Sequence, residues 1–166
     1  HFLYNTLDTI KWEARIRQMP RIAVLAENLA VILRKSISSK LFIPLKEELE
    51  TIDSYVEVQE IRFTGRFLCE KEIPDQLEEC LVPKMILQPL VENAILHGLE
   101  GCENGYICIY AGREGDVLNI SITDNGCGMS PEILAWINSP EPEKRDGHLG
   151  IYNIMRILKL YYGNEY

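Results

Sequence analysis

The sequence predicts an α+β fold, a helical hairpin followed by an α/β sandwich with helices on one face of a mixed sheet. Three observations carry this. Apolar residues recur at three- and four-residue spacing through the first sixty positions, which is helical periodicity. Between Tyr106 and Asp124 they alternate instead, as a strand pair does. A stretch rich in proline and charge then separates that alternation from one last helical run ending at Gly163. At 166 residues, 46% of them hydrophobic, the chain has the bulk for one ordinary domain and a small accessory element.

The elements follow in order. His1 to about Arg17 forms one helix, with Phe2, Leu3, Leu7, Ile10 and Ala14 at its apolar positions. Gln18 to Arg21 break it, because Pro20 is tolerated only at or before the first turn of the next helix. That second helix carries Ile22, Leu25, Leu29, Ile32 and Ser36 in a seam close to a heptad. Two short helices cannot bury such faces alone. Either the same hairpin of a second chain completes a four-helix bundle, or the seam packs against its own chain. Ser36 to Pro44 reads as a linker, dividing the chain into a hairpin, 1–42, and a second unit, 43–166.

A third helix spans Leu45 to Phe63 with Leu45, Leu49, Ile52 and Val56 on its buried face, and a strand follows at about Phe67 to Ile73. The next helix starts at Pro83 and ends at Gly98, positions those residues favour. A hairpin pairs Tyr106–Ala111 with Val117–Asp124 around a turn at Gly112 to Gly115. Residues 129–149, with Pro131, Pro140, Pro142 and the charged run Glu141 to Asp146, read as a mobile loop holding one short helix near Glu132 to Asn138. Loops of that length are functional lids or disordered.

Chemistry concentrates in the Pro83–Gly98 helix. Leu87, Leu90, Val91, Ala94 and Ile95 form a core stripe, while Asn93 and His97, four apart, share an adjacent face with Glu92 beside them. Polar groups there are costly unless something binds them, although a partly solvated edge explains them as well. In the strand DVLNISITD, Leu118, Ile120, Ile122 and Asp124 share one face, so a carboxylate ends an apolar row and needs donors. Gly126 and Gly128 in the following loop permit unusual backbone angles and close approach of a ligand. An acceptor-only carboxylate beside such a loop suits the exocyclic amine of adenine. Gly147 and Gly150 flank a helix start, where free N–H groups and the dipole favour phosphate, or where they make a simple cap.

ENAILHG and DNGCG together resemble the N box and first glycine box of the GHKL ATP-binding fold, shared by histidine kinases, Hsp90, DNA gyrase and MutL. GHLGIYNIMRILKLYYG, with Gly150 and Asn153, is similar to the second glycine box of the LytS/YesM type of sensor histidine kinase. HFLYN, at the first residues, resembles the phosphoacceptor segment of the same kinases, although a terminal histidine is also what a tag leaves. The resemblance implies a GHKL-type sandwich and binding of ATP with Mg2+. It implies Asn93 as the magnesium ligand, Glu92 as the group positioning metal, water or nucleophile, and Asp124 as the reader of the adenine amine. Gly126 and Gly128 would shape the adenine side, and Gly147 and Gly150 the lid and phosphates. His97 would contact phosphate or order the N box, or is a satisfied helix-end histidine. His148 stands where many histidine kinases have glycine, stiffening the phosphate loop or offering an imidazole to the nucleotide. Relatives continue past YYGNEY into another glycine box and the strands that close the sheet, so those C-terminal strands are missing from the expected fold.

The implied activity is autophosphorylation on His1 and passage of the phosphoryl group to the aspartate of a response-regulator receiver domain. Imidazole, with a pKa of about 6.5, is already largely an uncharged nucleophile at neutral pH. Asn5, one turn on, orients the imidazole or an attacking water, or is a solvated helix residue. The competing functions are a GHKL conformational clamp, in which His1 has no part, and a non-catalytic dimerising module.

The net charge of −8, with no cluster of Lys and Arg, argues against nucleic acid as a partner. No apolar run approaches the ~20 residues that span a bilayer. The expectation is therefore the cytoplasmic portion of a membrane sensor, a homodimer through the hairpin, touching the membrane only through segments outside this chain. Five cysteines, odd in number and without CxxC spacing, point to reduced thiols.

Overall fold

The computed structural model describes residues 1–63, 65–139, 142, 144–145 and 147–163. Helices α1 (Phe2–Ile16) and α2 (Pro20–Ile37) form the hairpin, with Pro20 in the first turn of α2 as its fixed φ requires. They run antiparallel: Arg15 pairs with Glu27 at 3.0 Å near the turn, and the Arg34 guanidinium lies over the Tyr4 ring at the open end.

Helix α3 (Leu45–Phe63) packs along α2. Arg21 donates to the Ile61 carbonyl, Asn28 to Glu57 at 2.6 Å, and Lys35 to Glu50 at 2.5 Å. The residues α2 buries are Ala23, Ala26 and Asn28, whose small side chains allow close approach. Ile22 and Leu29 of the expected seam stay 38% and 42% exposed. The chain's own α3 thus covers part of the hairpin and leaves that part of the seam open.

The linker is shorter than expected. Phe42–Pro44 forms strand β1, pairing antiparallel with β3 (Leu81–Pro83) through Ile43 and Val82. Three-residue strands are too short to show alternation, so this pair left no signal in the sequence. It also corrects the start of the next helix: Pro83 ends β3, and α4 (Gln88–Asn93) begins five residues later with Pro89 in its first turn.

The main sheet has the order β2 (Phe67–Glu72), β4 (Gly105–Glu114), β5 (Val117–Asp124). β2 runs parallel to β4 and β5 antiparallel to it, so the sheet is mixed. Ile107, Ile109 and Ala111 of β4 are fully buried on one face, with Leu118, Ile120 and Ile122 of β5 half-buried beside them. Leu45, Leu49 and Ile52 of α3, Val91 of α4 and Ile154 of α6 (Leu149–Tyr162) complete that core. The α+β expectation with helices on one face holds.

The β4–β5 turn is tighter than the sequence suggested, Gly115 and Asp116 alone lying between Glu114 and Val117. Gly112 belongs to the strand, where it pairs with Asn119, and a Cβ there would lie 2.6 Å from the Tyr110 hydroxyl. Helix α5 (Pro131–Ile137) falls near its expected place, capped by Ser130, whose Oγ accepts from the Ile133 N–H. Pro140, Glu141, Glu143 and Asp146 of the expected loop, and Asn164 to Tyr166, lie outside the described residues.

Candidate functional site

Helix α4 has no side-chain cap of its own, because Leu87 occupies the N-cap position. A carboxylate from another helix does this work. Glu48 of α3, 2% exposed, accepts from the Met85 N–H at 2.6 Å and the Leu87 N–H at 3.2 Å. Negative charge at a helix start is stabilising, and here it also fixes Met85 at a φ of 62°. Burial pushes the Glu48 carboxyl above its usual value, while the surrounding backbone N–H groups pull it back.

After Asn93 the helix widens into a π turn, Ala94–Gly98, closed by the Leu99 N–H on the Ala94 carbonyl. Such turns concentrate at functional sites. The end of this turn is stitched to the loop after β5. The Cys127 N–H donates to the Gly98 carbonyl at 2.9 Å, and the Gly126 N–H to Asp124 Oδ1 at 2.9 Å. The two glycines make the contact possible. A Cβ on Gly98 would lie 2.8 Å from Asp124 Oδ1, and one on Gly126 only 1.9 Å from the Gly98 oxygen. Gly128 has a φ of 72°, a conformation that favours glycine.

Asn125 anchors this loop. Its Oδ1 accepts from the Tyr106 N–H at 2.7 Å, its N–H donates to the Tyr106 carbonyl, and Nδ2 donates to the Asn104 carbonyl. Its amide extends the β4–β5 ladder by one residue.

Structure gathers part of the expected set. Glu92 and Asn93 are half-buried at the end of α4, and Glu92 accepts from Gln88 Nε2 at 2.8 Å. The Asn93 carboxamide makes no hydrogen bond among the described residues. His97 is exposed, and its carbonyl accepts weakly from the Cys127 thiol. Tyr55 of α3 also belongs to this neighbourhood. Burial, and then the charge of Glu92, pushes its hydroxyl up to about 12.

Gly150 brings the second half of the site against the first: a Cβ there would meet the Pro89 side chain at 3.1 Å, so the start of α6 abuts the start of α4. Gly147 precedes it at a φ of 84°. The first turn of α6 has neither a side-chain cap nor an acidic residue, leaving N–H groups and a positive dipole end for an anion. The His148 ring lies 5.9 Å from that of Trp136, and Arg145 pairs with Glu132 at 3.5 Å, so α5 is tied to the turn before α6.

His1 and Asn5 are not drawn into this cluster. Both are exposed on α1, joined by the Asn5 N–H on the His1 carbonyl, and α1 packs against α2. Among the described residues no group of three or more His, Cys, Asp or Glu would hold a metal ion, and no helix is long and apolar enough to cross a membrane.

Comparison with known proteins agrees with this geometry. Residues 1–67 match the histidine kinase family model, and residues 81–165 match that of the histidine kinase-, DNA gyrase B-, and HSP90-like ATPases. The chain is 36% identical to sensor histidine kinase YesM of Bacillus subtilis over its whole length, covering 28% of that protein. It is 32% identical to sensor histidine kinase YpdA of Escherichia coli over 98% of the chain and 29% of the relative. Sensor protein LytS of Bacillus subtilis is 28% identical over 99% of the chain and 28% of its own length, so this chain spans under a third of each. Among solved structures, the histidine kinase domain of the blue-light activated histidine kinase EL346 from Erythrobacter litoralis shares the fold. Its TM-score is 0.52 at 15% identity, over 95% of this chain and 82% of that one. With the histidine kinase model matched over residues 1–67 and the ATPase model over residues 81–165, the chain belongs to the sensor histidine kinases of the LytS/YesM type and carries their GHKL ATPase fold.

Proposed function

We propose that this chain is the phosphotransfer portion of a sensor kinase, divided at about residue 42 into a dimerising hairpin and an ATP-binding unit. It would bind ATP with Mg2+ and move the γ-phosphoryl group to His1. The observation that carries the reading is the joint between Gly98, Gly126 and Asp124, set beside an uncapped α6 whose start abuts α4.

Roles follow from placement. Asp124 has one oxygen engaged by the Gly126 N–H, leaving acceptor capacity for the adenine amine, with Gly126 and Gly128 lining that side. Gly147 and Gly150 open the backbone of the α6 start to phosphate, and exposed His97 is free to reach the same groups. The residues present fit Mg2+. It takes oxygen ligands, keeps much of its water and is held largely by substrate phosphates, so one unpartnered amide oxygen, that of Asn93, is a suitable protein contribution. Bound there, the metal would neutralise charge on the phosphate oxygens. Glu92, held by Gln88, orients the metal shell or the nucleophile.

The uncharged ring nitrogen of His1 forms the N–P bond as the bond from the γ-phosphorus to its bridging oxygen breaks and ADP leaves. Asn5 holds the imidazole or a hydrolytic water. From phosphohistidine the group passes to an aspartate of a response-regulator receiver domain. Ile22 and Leu29, exposed on α2, with Leu3 and Ile10 on α1, are the surface through which a second copy would complete a four-helix bundle. On this reading the chain is the cytoplasmic portion of a membrane sensor and meets the membrane through segments outside it.

The test is incubation of the full-length protein with γ-labelled ATP and Mg2+. Acid-labile, alkali-stable label on the protein is expected. ATP hydrolysis with no labelled protein would replace this reading by the conformational clamp.

A further inference from the structure

Gln88 stands beside Glu92, and the proposed reaction does not use its chemistry. It sits one helical turn ahead of Glu92 and is 7% exposed. Its Nε2 donates to Glu92 Oε1 at 2.8 Å, while its own Oε1 is buried with no donor among the described residues. The orientation of the amide is settled by this contact. Turned over, it would set oxygen against carboxylate, two acceptors with no proton between them. A buried carbonyl left without a donor is a cost, and native structures keep few of them. Here it accompanies a bond between an amide and an ionisable carboxylate, the stronger kind of hydrogen bond.

Gln88 also faces open space. It lines a cavity of about 170 Å³ with Lys35 and Ser36 of α2, Glu48 and Thr51 of α3, and Met85. The backbone leading to it is fixed by Glu48, and Lys84 in the same turn donates to the carbonyls of Ser36 and Ser38 at the end of α2. The groups that face Glu92 are therefore Gln88 from its own helix and Tyr55 from α3, with Arg62 acting on Tyr55.

We propose that Gln88 is a positioning residue for phosphoryl transfer, its buried amide holding the Glu92 carboxylate in one orientation. This rests on the reading of Glu92 as a group that orients metal or nucleophile.

The experiment measures initial autophosphorylation rates of the full-length protein at saturating ATP and Mg2+, with affinity for a non-hydrolysable ATP analogue alongside. Gln88→Met keeps the length of the side chain and removes the donor. It is expected to slow the reaction about tenfold and leave analogue affinity within about twofold. In a Glu92→Ala background the same change should slow nothing further. A wild-type rate in Gln88→Met, a loss of analogue affinity that matches the loss of rate, or an equal loss in both backgrounds, overturns the proposal. Full activity in Glu92→Ala alone overturns instead the role assigned to Glu92, and the proposal with it. Thermal unfolding shows whether Gln88→Met folds. If it does not, Gln88→Asn decides, because it keeps a buried amide but draws the donor back from Glu92, and a wild-type rate in that variant contradicts the proposal.

Discussion

The carbonyl oxygen of Gly98 and the α-carbon of Gly126 lie so close that a Cβ on Gly126 would stand 1.9 Å from that oxygen. Backbone cannot yield as a flexible side chain does. Gly126→Ala must therefore part the loop from the π turn and break the bond from the Cys127 N–H to Gly98. We expect a loss of about 1–3 kcal/mol of stability, as for overpacking elsewhere, together with most of the affinity for an ATP analogue. Denaturant unfolding and analogue titration measure the two. A variant that binds and unfolds as wild type does would mean the loop is free to move.

Asp124→Asn turns one acceptor of the proposed adenine contact into a donor. Loss of a hydrogen bond to a charged group costs about 1.5–3 kcal/mol, or roughly one to two decades in affinity. Calorimetry with ATP and GTP analogues reads this. Unchanged affinities would give Asp124 a purely structural task, that of holding the Gly126 N–H.

Asn93→Ala removes a side chain that bonds to nothing among the described residues, so circular dichroism should be unchanged. If its oxygen contacts Mg2+, phosphotransfer should fall to background at every magnesium concentration tested. Undiminished transfer would remove Asn93 from the metal site.

Glu48 makes stability depend on pH in an unusual direction for a carboxylate. Its pKa is raised by burial from an ordinary value of 4.5, so the folded state holds the proton more tightly than the unfolded one. Its contribution is fully present below that ordinary value and is lost as pH rises through the raised one. Glu48→Gln abolishes this dependence. Urea unfolding across that window should show the variant gaining on wild type as pH increases. A shift the other way would mean that the Met85 and Leu87 N–H groups outweigh burial. Glu48→Ala strips both N–H groups of their acceptor and should cost about 1–3 kcal/mol for each one left buried and unsatisfied.

Long periodic elements were legible in the sequence: α3 begins at Leu45 and ends at Phe63 as its pattern indicates, and β5 spans Val117 to Asp124. What was not legible was set by tertiary contacts. Pro83 suggested a helix start, but its segment pairs with β1, and a carboxylate 37 residues from Met85 in sequence determines where α4 begins. Gly112 suggested a turn, yet it makes room for the Tyr110 ring. In the site, the motif residues announced themselves, and the residues supporting them did not. Gln88 stood four positions before Glu92, a spacing that marks helix neighbours, but only burial shows that its amide has a task. Asn125 reads as half of an Asn-Gly turn in any sequence, and only the ladder shows that it extends the β4–β5 pairing.

The central claim is that His1 receives the phosphoryl group of ATP held at the Asn93–Asp124 site. The most direct measurement locates the phosphoryl group by mass spectrometry, under conditions that preserve phosphohistidine, in full-length wild type and in His1→Gln. The account predicts a phosphoryl group on His1 in wild type and none on the variant, with ATP-analogue affinity equal in the two. A phosphoryl group on another residue, or undiminished labelling of His1→Gln, would contradict it.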